Sequence, residues 1–394
     1  PTMGHSRPRI LPRRYAPRWI ESLEEPVASS PLHRLSALGQ SVWVDYLSRN
    51  LVEGGELKAM TRDDAVVGVT SNPTIFQKAL AEGDSYDEQL REVLTRTEDP
   101  KEIFIALASR DVSDACDLFH PIWESTKGAD GYVSMEVDPR FAFDAAATLD
   151  EAMRLHAEIN KPNLLVKIPA TKPGLGAIEE MIARGHSINV TLIFSLERYA
   201  EVAEAYIAGL ERLVEDGGDP TNVHSVASFF VSRVDSEVDK RLDAIGGHDG
   251  LKGKLAVANA KLAYDRFQEI FSGPRWDALA GLGARTQRCL WASTSTKNPD
   301  YPDTLYVTEL IGADTVNTMP EETIRAFQDH GEPEPRLTAD LNAARAVFTD
   351  LAAAGVDYDD VTALLEREGV EKFEASFAQL IQGIVARRET LLAG

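Results

Sequence analysis

The segment LLVKIPATKPGLGAIEEMIARGHSINVTLIF, residues 164–194, contains two short apolar runs, Leu164–Ile168 and Ile188–Phe194, joined by a stretch that is helical in character. Both runs are almost continuously apolar, as parallel strands are when other elements cover both faces of their sheet. This order of strand, helix and strand predicts one β/α unit followed by the strand of the next unit.

Six further runs of the same kind occur on either side of this segment, and helical patterns separate them. They are Ser41–Val44, Val66–Val69, Tyr132–Val137, Ser225–Phe230, Arg288–Ala292 and Asp314–Asn317. One separating stretch, Leu196–Leu213, has apolar residues at helical spacing and follows Ser195, a residue suited to an N-cap. Eight alternating β and α segments predict an α/β protein with a (β/α)8 TIM barrel.

The chain continues with additional helices after the eighth run. Beyond Pro335 the pattern predicts helices over Leu341–Leu351, Tyr358–Glu368 and Val370–Leu392, which gives the barrel a helical C-terminal segment. A doubly wound open sheet is the competing fold, but it normally has a glycine-rich phosphate turn after an early strand. The sequence contains neither a GxGxxG nor a GxxxxGK[ST] motif, so the barrel is preferred.

Residues 35–394 are expected to form a single domain, and residues 1–34 differ from them in composition. The first 34 residues hold six Arg against three Glu and lack the apolar core of a secretory signal. We expect these residues to be a disordered extension, a cloning remnant or sequence upstream of the natural start.

The net charge of −22 restricts the partners of the protein. A negative field repels nucleic acid and anionic membrane surfaces, and no apolar run approaches the 18 residues or so of a transmembrane helix. A phosphorylated ligand would also be repelled at long range, so any phosphate site must be a local basic pocket. The two cysteines, Cys116 and Cys289, match no disulfide framework or metal motif and indicate reduced thiols in a cytoplasmic protein.

Lys167 interrupts an otherwise apolar strand. Lysine is rarely buried without a partner or a task, although a lysine at a strand end can also extend into solvent. Burial disfavours the ammonium form, so a lysine inside the barrel would present a neutral amine able to attack a carbonyl group.

Polar side chains also end several of the other predicted strands. In a barrel, alternate residues of a strand point inward, and catalytic groups collect at the C-terminal ends. The inward or terminal polar residues are Asp45, Asn72, Ser134, Glu136, Asp138, Asn189, Thr191 and Ser228. Each one alone is more often a turn or cap residue, but together around one lysine they predict a pocket. An amine, carboxylates and amides are the groups that a Schiff-base aldolase needs.

Two cations follow neighbouring strands and predict the phosphate pocket. Arg233 comes just after the sixth run, and Lys297 follows the seventh in Ser295-Thr296-Lys297-Asn298. Arginine offers phosphate a two-pronged guanidinium and lysine a point charge. Both could also be ordinary solvated loop residues.

Three of these segments resemble the transaldolase family. Thr70-Ser71-Asn72-Pro73 resembles a family signature, Leu165–Thr171 is similar to the segment that holds the Schiff-base lysine, and Ile188–Ser195 is similar to a third motif. The resemblance extends from about residue 38 to the C-terminus, and the long helical segments place the chain with the larger bacterial members. Where many members have Ser-Phe-Arg-Asn after strand seven, this chain has Lys297, which keeps the charge but not the guanidinium.

The resemblance implies a role for each candidate residue. Lys167 would attack the ketone of a sugar phosphate donor, Glu136 and Thr191 would handle a catalytic water, and Asp45 would take the proton as the carbon–carbon bond breaks. The substrate-binding residues would be Asn72, Asn189 and Ser228 for the dihydroxyacetone unit, and Arg233, Ser295 and Lys297 for the phosphate. The chemistry implied needs no metal and no organic cofactor, and the protein could be a monomer or a homodimer.

Two other functions remain compatible with the sequence. A fructose 6-phosphate aldolase would use the same lysine but release free dihydroxyacetone. A catalytically silent barrel could instead serve for binding, although the polar ring around Lys167 argues against it.

Overall fold

Eight parallel strands close into a barrel in the order in which they follow along the chain. The structure, a computed structural model, describes residues 30–81 and 83–393. The strands are β1 (Gln40–Val44), β2 (Val66–Val69), β3 (Tyr132–Glu136), β4 (Leu164–Pro169), β5 (Ile188–Ile193), β6 (Ser225–Phe230), β7 (Arg288–Ala292) and β8 (Thr315–Met319). β8 pairs with β1 from Gln40–Thr315 to Val44–Met319 and closes the ring. The predicted (β/α)8 barrel is confirmed, and the open sheet is excluded.

Helices precede β1, connect the strands and follow β8. They are α1 (Pro31–Ala37), α2 (Arg49–Glu53), α3 (Glu56–Asp63), α4 (Pro73–Ala81), α5 (Asp87–Leu94), α6 (Pro100–Ser125), α7 (Ala145–Ile159), α8 (Gly174–Ala183), α9 (Leu196–Glu215), α10 (Ser232–Ile245), α11 (Leu255–Ile270), α12 (Pro274–Gly281), α13 (Leu305–Thr308), α14 (Glu321–His330), α15 (Leu341–Ala353) and α16 (Tyr358–Ala393). Ser195 caps α9, as predicted, by accepting a hydrogen bond from the backbone N–H of Arg198.

The barrel interior is a packed core at its N-terminal end. Trp43 is fully buried there, and its Nε1 donates to Asp130 Oδ1 at 3.3 Å. A Cβ atom at Gly68 would lie 2.6 Å from Trp43 Cε2, so only glycine lets β2 lie against this indole ring. Arg288 closes the same end by donating hydrogen bonds to Ser41 Oγ at 2.6 Å and to the Thr315 carbonyl at 2.7 Å. Polar chemistry is thereby left to the opposite, C-terminal end of the strands.

Several predicted boundaries need correction. The folded chain begins before residue 35, because Pro31–Ala37 form α1 and Leu32 is buried. Residues 1–29, the rest of the predicted extension, lie outside the described residues. β8 extends two residues beyond the predicted Asn317, and it excludes Asp314, whose φ of 56° is incompatible with an extended strand.

The C-terminal segment is one 36-residue helix rather than two. We predicted a break at Gly369, because glycine is the residue most often found just beyond a helix end. In the structure Gly369 lies inside α16 and is buried, so packing overrides the cost of about 1 kcal/mol for glycine within a helix. In the part of the chain that the structure describes, no helix is both long and apolar enough to span a lipid bilayer.

Candidate active site

Lys167 lies inside the barrel near the C-terminal end of β4. Its side chain is only 6% exposed. In the sheet register it is flanked by Glu136 on β3 and Asn189 on β5. Its Nζ donates a hydrogen bond at 3.0 Å to the carbonyl of Ser71, in the loop that follows β2. The expected buried position is confirmed, and the alternative of a lysine extended into solvent is wrong.

Glu136 is the nearest acid to this amine. Its Oε2 atom lies 3.3 Å from Lys167 Nζ, and its side chain is 2% exposed. Burial raises the pKa of Glu136 above its usual range, although the positive charge of Lys167 opposes this shift. Neither carboxylate oxygen makes a well-aligned hydrogen bond with any described residue. Glu136 can therefore hold or release a proton beside Lys167, and its oxygens are available to bind water.

Asp138 shares the parity of Glu136 but does not join it. Its carboxylate pairs instead with Lys101 at 3.0 Å and with Arg140 at 2.5 Å. Lys101 also contacts Glu151 at 3.0 Å, so Asp138 belongs to a network that joins β3 to α6 and α7. The alternation of side chains along β3 therefore points Ser134 and Glu136 into the barrel. The direction of the Asp138 side chain, beyond the end of the strand, depends instead on the loop.

Thr191 lies on β5, where the strand changes its pairing with β6. Val190 pairs with Ala227 but Ile193 pairs with Phe229, so β5 contains one extra residue. Leu192 accommodates this bulge with a φ of 61°. Thr191 is fully buried, and its Oγ1 has no hydrogen-bond partner among the described residues. Bulges of this kind often orient side chains beside active sites.

Asp45 follows β1 and is held in place by neighbours on both sides. Its backbone N–H donates to the Met319 carbonyl at 2.8 Å, and its Oδ1 accepts a hydrogen bond from Thr70 Oγ1 at 2.7 Å. Burial raises the pKa of Asp45, while the charges of Lys167, Arg233 and Lys297 act in the opposite direction. These three cations therefore lie within electrostatic reach of Asp45, and the predicted convergence of the strand ends is present.

The chain beyond Asp45 is anchored by a buried ion pair. Arg49 donates to Asp111 Oδ1 through Nε at 2.9 Å and Nη2 at 2.8 Å. Tyr86 donates to the second oxygen of Asp111 at 2.7 Å and accepts from the Arg49 backbone N–H at 3.1 Å. Because every member of this network is buried and bonded, the loop that carries Asp45 is fixed.

Three side chains beside Lys167 form a hydrogen-bonded chain. Ser228 Oγ donates to Asn189 Oδ1 at 2.7 Å, and Asn189 Nδ2 donates to Ser134 Oγ at 3.1 Å. All three are buried and come from β6, β5 and β3. The bonds orient the Asn189 amide and leave one of its N–H groups free to bind a ligand oxygen.

The side chain of Asn72 bonds to the backbone through its oxygen and leaves its amide nitrogen available. Its Oδ1 atom accepts a hydrogen bond from the Ile75 backbone N–H at 3.1 Å, near the start of α4. The amide nitrogen makes no hydrogen bond with any residue that the structure describes. Asn72 also lines a small cavity with Glu136 and with Phe377 of α16.

Arg233 is the clearest candidate for binding an anion. It lies in the first turn of α10, directly after β6, and its Cζ atom lies 5.1 Å from the centre of the Phe230 ring. Burial lowers its pKa, against the opposing effects of Asp45 and Glu136. Within residues 30–81 and 83–393 the guanidinium forms neither a hydrogen bond nor an ion pair with another side chain. A half-buried cation of this kind, unpaired among the described residues, is suited to a negatively charged ligand.

Ser295 and Lys297 follow β7 and are brought beside Arg233 by hydrogen bonds between two loops. The Ser232 backbone N–H donates to the Ser293 carbonyl at 3.0 Å, and the two hydroxyl groups are 2.9 Å apart. Ser295 is buried, whereas Lys297 is exposed and donates to Ser295 Oγ at 2.5 Å. The two loops predicted to supply a phosphate pocket are therefore adjacent.

The C-terminal helix α16 also contributes to this end of the barrel, and its sequence pattern does not predict this contribution. Phe377 lines the cavity beside Glu136, while Glu368 and Lys372 affect the charge balance around Arg233. The sequence feature that could have indicated this contribution is Gly369, because a glycine inside a helical pattern often marks a close packing contact.

The chain is similar in sequence to proteins of one family over nearly its whole length. The family model described as Transaldolase/Fructose-6-phosphate aldolase matches residues 42–384. A transaldolase of Parafrankia sp. (strain EAN1pec) is 53% identical over 359 residues, which cover 90% of this chain and 97% of the relative. A transaldolase of Acidothermus cellulolyticus is 53% identical over 368 residues, or 92% and 99% of the two chains. One of Mycobacterium tuberculosis (strain ATCC 25618 / H37Rv) is 51% identical over 363 residues, or 91% and 97%.

Proposed function

We propose that this chain, which belongs to the transaldolase/fructose-6-phosphate aldolase family, is a transaldolase. The reaction would transfer a dihydroxyacetone unit from sedoheptulose 7-phosphate to glyceraldehyde 3-phosphate. The products would be erythrose 4-phosphate and fructose 6-phosphate, which is a step of the pentose phosphate pathway. The observation that carries the proposal is a buried lysine amine 3.3 Å from a buried carboxylate, with Asp45, a half-buried second acid, in electrostatic reach.

The first half of the reaction would form and cleave a covalent intermediate. Lys167 Nζ attacks the ketone carbon of the donor, and Glu136 supplies the proton with which the carbinolamine loses water, leaving an iminium ion. Asp45 then removes the proton from the C4 hydroxyl group. As the C3–C4 bond breaks, its electrons move toward the iminium nitrogen, so an enamine stays on Lys167 and the aldose phosphate leaves.

The second half of the reaction would reverse these steps on a different aldehyde. The enamine carbon attacks the aldehyde of the acceptor, and Asp45 returns its proton to the new hydroxyl group. Water held by Glu136 and Thr191 then attacks the iminium carbon, and the new ketose phosphate leaves Lys167. The raised pKa of Glu136 supports this role, because the group must both give and take a proton.

Binding of the substrate would divide between the inside of the barrel and its rim. Asn72, Asn189 and Ser228 would hold the hydroxyl groups of the dihydroxyacetone unit. Arg233, Ser295 and Lys297 would hold the phosphate. These groups account for the reaction with no metal or organic cofactor, and the net charge of −22 disfavours nucleic acid as a partner.

A test with fructose 6-phosphate separates transfer from simple aldol cleavage. With erythrose 4-phosphate present, we expect rapid formation of sedoheptulose 7-phosphate and glyceraldehyde 3-phosphate. Without an acceptor we expect little turnover, because the enamine should stay bound to Lys167. Steady release of free dihydroxyacetone without an acceptor would instead identify a fructose 6-phosphate aldolase.

Replacing Arg233 with alanine should mainly weaken binding of phosphorylated substrates. Loss of a charge-assisted contact of about 1.5–3 kcal/mol corresponds to a rise in KM of about 10- to 100-fold for fructose 6-phosphate. The kcat value should change much less, and Arg233→Lys should restore part of the affinity. Initial rates with unphosphorylated fructose serve as the control: an equal loss with both sugars would contradict the phosphate assignment.

We also propose a cytoplasmic location and a site completed by one chain. Cys116 and Cys289 are both free and buried, and burial raises the pKa of each thiol, which suits a reducing compartment. All ten candidate residues named above come from a single polypeptide, so either a monomer or a homodimer would be active.

A further inference from the structure

The C-terminal helix α16 passes over the catalytic end of the barrel. Near its beginning, Asp360 pairs with Arg241 of α10 at 2.6 Å. Farther along, Ser376 accepts a hydrogen bond at 2.7 Å from Thr74, two residues after Asn72. Near its end, Arg387 pairs with Asp87 of α5 at 2.6 Å. These contacts lie on both sides of the pocket, so α16 is fixed across its rim.

Gly369 sets the distance between this helix and the strands. A Cβ atom at this position would lie 3.0 Å from Leu192 Cδ2 and 3.6 Å from Phe194 Cε2. Leu192 is the bulged residue of β5 that follows Thr191. The helix therefore packs closely against the end of the strand that supplies Asn189 and Thr191.

A chain of packed aromatic rings leads from this contact to Arg233. The rings of Phe194 and Phe230 are 5.2 Å apart, and the Arg233 guanidinium lies over Phe230. Glu368, which precedes Gly369, acts electrostatically on Arg233. Lys372 is one helical turn beyond Glu368 and so projects from the same side of α16. The packing therefore directs Lys372 toward the rim beside Arg233.

Arg233, Lys297 and Lys372 bring three positive charges to this part of the rim. The pKa of Lys372 is lowered, first by the positive charge of Arg233, then by burial and by Lys297. In the described part of the chain, none of the three forms an ion pair with a carboxylate. Three mutually repelling cations in a protein of net charge −22 indicate a site for a multiply charged anion.

We propose that Lys372 is a third cationic ligand of the substrate phosphate, acting with Arg233 and Lys297. The proposal rests on the transaldolase function given above and extends the phosphate site to the C-terminal helix. Lys372 is exposed, so it can meet the phosphate as the sugar enters from solvent. Lys372 lies within electrostatic range of Arg233 and Lys297 at the rim of the candidate pocket.

Binding of inorganic phosphate tests this assignment directly. Isothermal titration calorimetry on the full chain should compare the wild type with Lys372→Ala, Lys372→Arg and Arg367→Ala. Arg367 is the matched control, because it is exposed on the same helix but lies roughly 140° around the axis from Lys372. We expect Lys372→Ala to weaken phosphate binding by about tenfold, whereas Lys372→Arg and Arg367→Ala stay close to the wild type.

The steady-state kinetics should follow the same pattern. Lys372→Ala should raise KM for fructose 6-phosphate by a similar factor and leave kcat and the melting temperature unchanged. Equal phosphate affinity in Lys372→Ala and Arg367→Ala, or undetectable phosphate binding by the wild type, would overturn the proposal. Calorimetry measures phosphate binding without turnover, so it tests the role of Lys372 separately from the enzymatic function. Failure of the proposed function would appear instead as absent transfer by the wild-type protein.

Discussion

Replacing Lys167 with alanine should abolish turnover, lowering kcat by more than about 10⁴-fold, because the reaction loses its nucleophile. The barrel should nevertheless stay folded. Without Lys167 beside it, the buried Glu136 can take up a proton rather than remain as an isolated charge, since burial already raises its pKa. Transfer from fructose 6-phosphate to erythrose 4-phosphate and the far-UV circular dichroism spectrum would measure the two effects.

Reduction with borohydride identifies the lysine that forms the Schiff base. The wild type treated with fructose 6-phosphate should carry one adduct, which peptide mass spectrometry should locate on Lys167. Lys172→Ala is the control, because Lys172 is nearby in sequence but its side chain is 69% exposed. A wild-type adduct on another lysine, or full activity in Lys167→Ala, would refute the mechanism. A wild type with no adduct and no turnover would favour the catalytically silent barrel.

Replacing Asp45 with asparagine should lower kcat by about 10²- to 10⁴-fold while the Schiff base still forms. Asparagine keeps the size of the side chain and can still accept the hydrogen bond from Thr70. It cannot take the proton whose removal breaks the C3–C4 bond. Steady-state kinetics with fructose 6-phosphate and erythrose 4-phosphate would measure the loss.

The mass of the borohydride adduct then shows which step has stopped. In the wild type, cleavage precedes trapping, so the adduct on Lys167 should contain the three-carbon unit. In Asp45→Asn, the adduct should contain the intact six-carbon sugar phosphate. A three-carbon adduct in the variant would mean that another group removes the proton.

The role of Asp45 as the base also predicts how kcat changes with pH. Asp45 must be ionised to accept a proton, and burial raises its pKa above the usual value near 4. As the pH falls through this raised pKa, Asp45 becomes protonated and kcat declines, so the acidic limb should lie above about pH 4. The charge of Asp45 also raises the pKa of Glu136, so the limb belongs to the pair rather than to one residue.

Most of the barrel could be predicted from the sequence, because its strands carry a local signal. A run such as Leu164–Ile168 is apolar on both faces only if other elements cover both faces. The sequence pattern places all eight strands, three of them with the observed bounds and five with errors of one or two residues at an end. Those errors arise where local backbone conformation decides, as at Asp314, whose positive φ depends on its turn and not on hydrophobicity.

The inner part of the candidate site was predictable for a related reason. Strand parity and the closed order of the strands bring Glu136, Lys167 and Asn189 to adjacent positions. Parity failed two residues beyond the end of β3, at Asp138, where ion pairs with Lys101 and Arg140 determine the direction of the side chain. Such partners are distant in sequence or depend on loop geometry, so no local pattern identifies them.

The sequence by itself determined the β/α alternation, the buried lysine and the set of acids and amides around it, because each follows from side-chain periodicity within a short segment. Only the tertiary structure decided that α16 is one helix across the mouth of the barrel, with Lys372 near Arg233 and Phe377 beside Glu136. The path of a terminal helix depends on contacts made with many distant segments, such as those of Gly369 with Leu192 and of Ser376 with Thr74. Its local sequence pattern indicates helical structure but not which surface the helix covers.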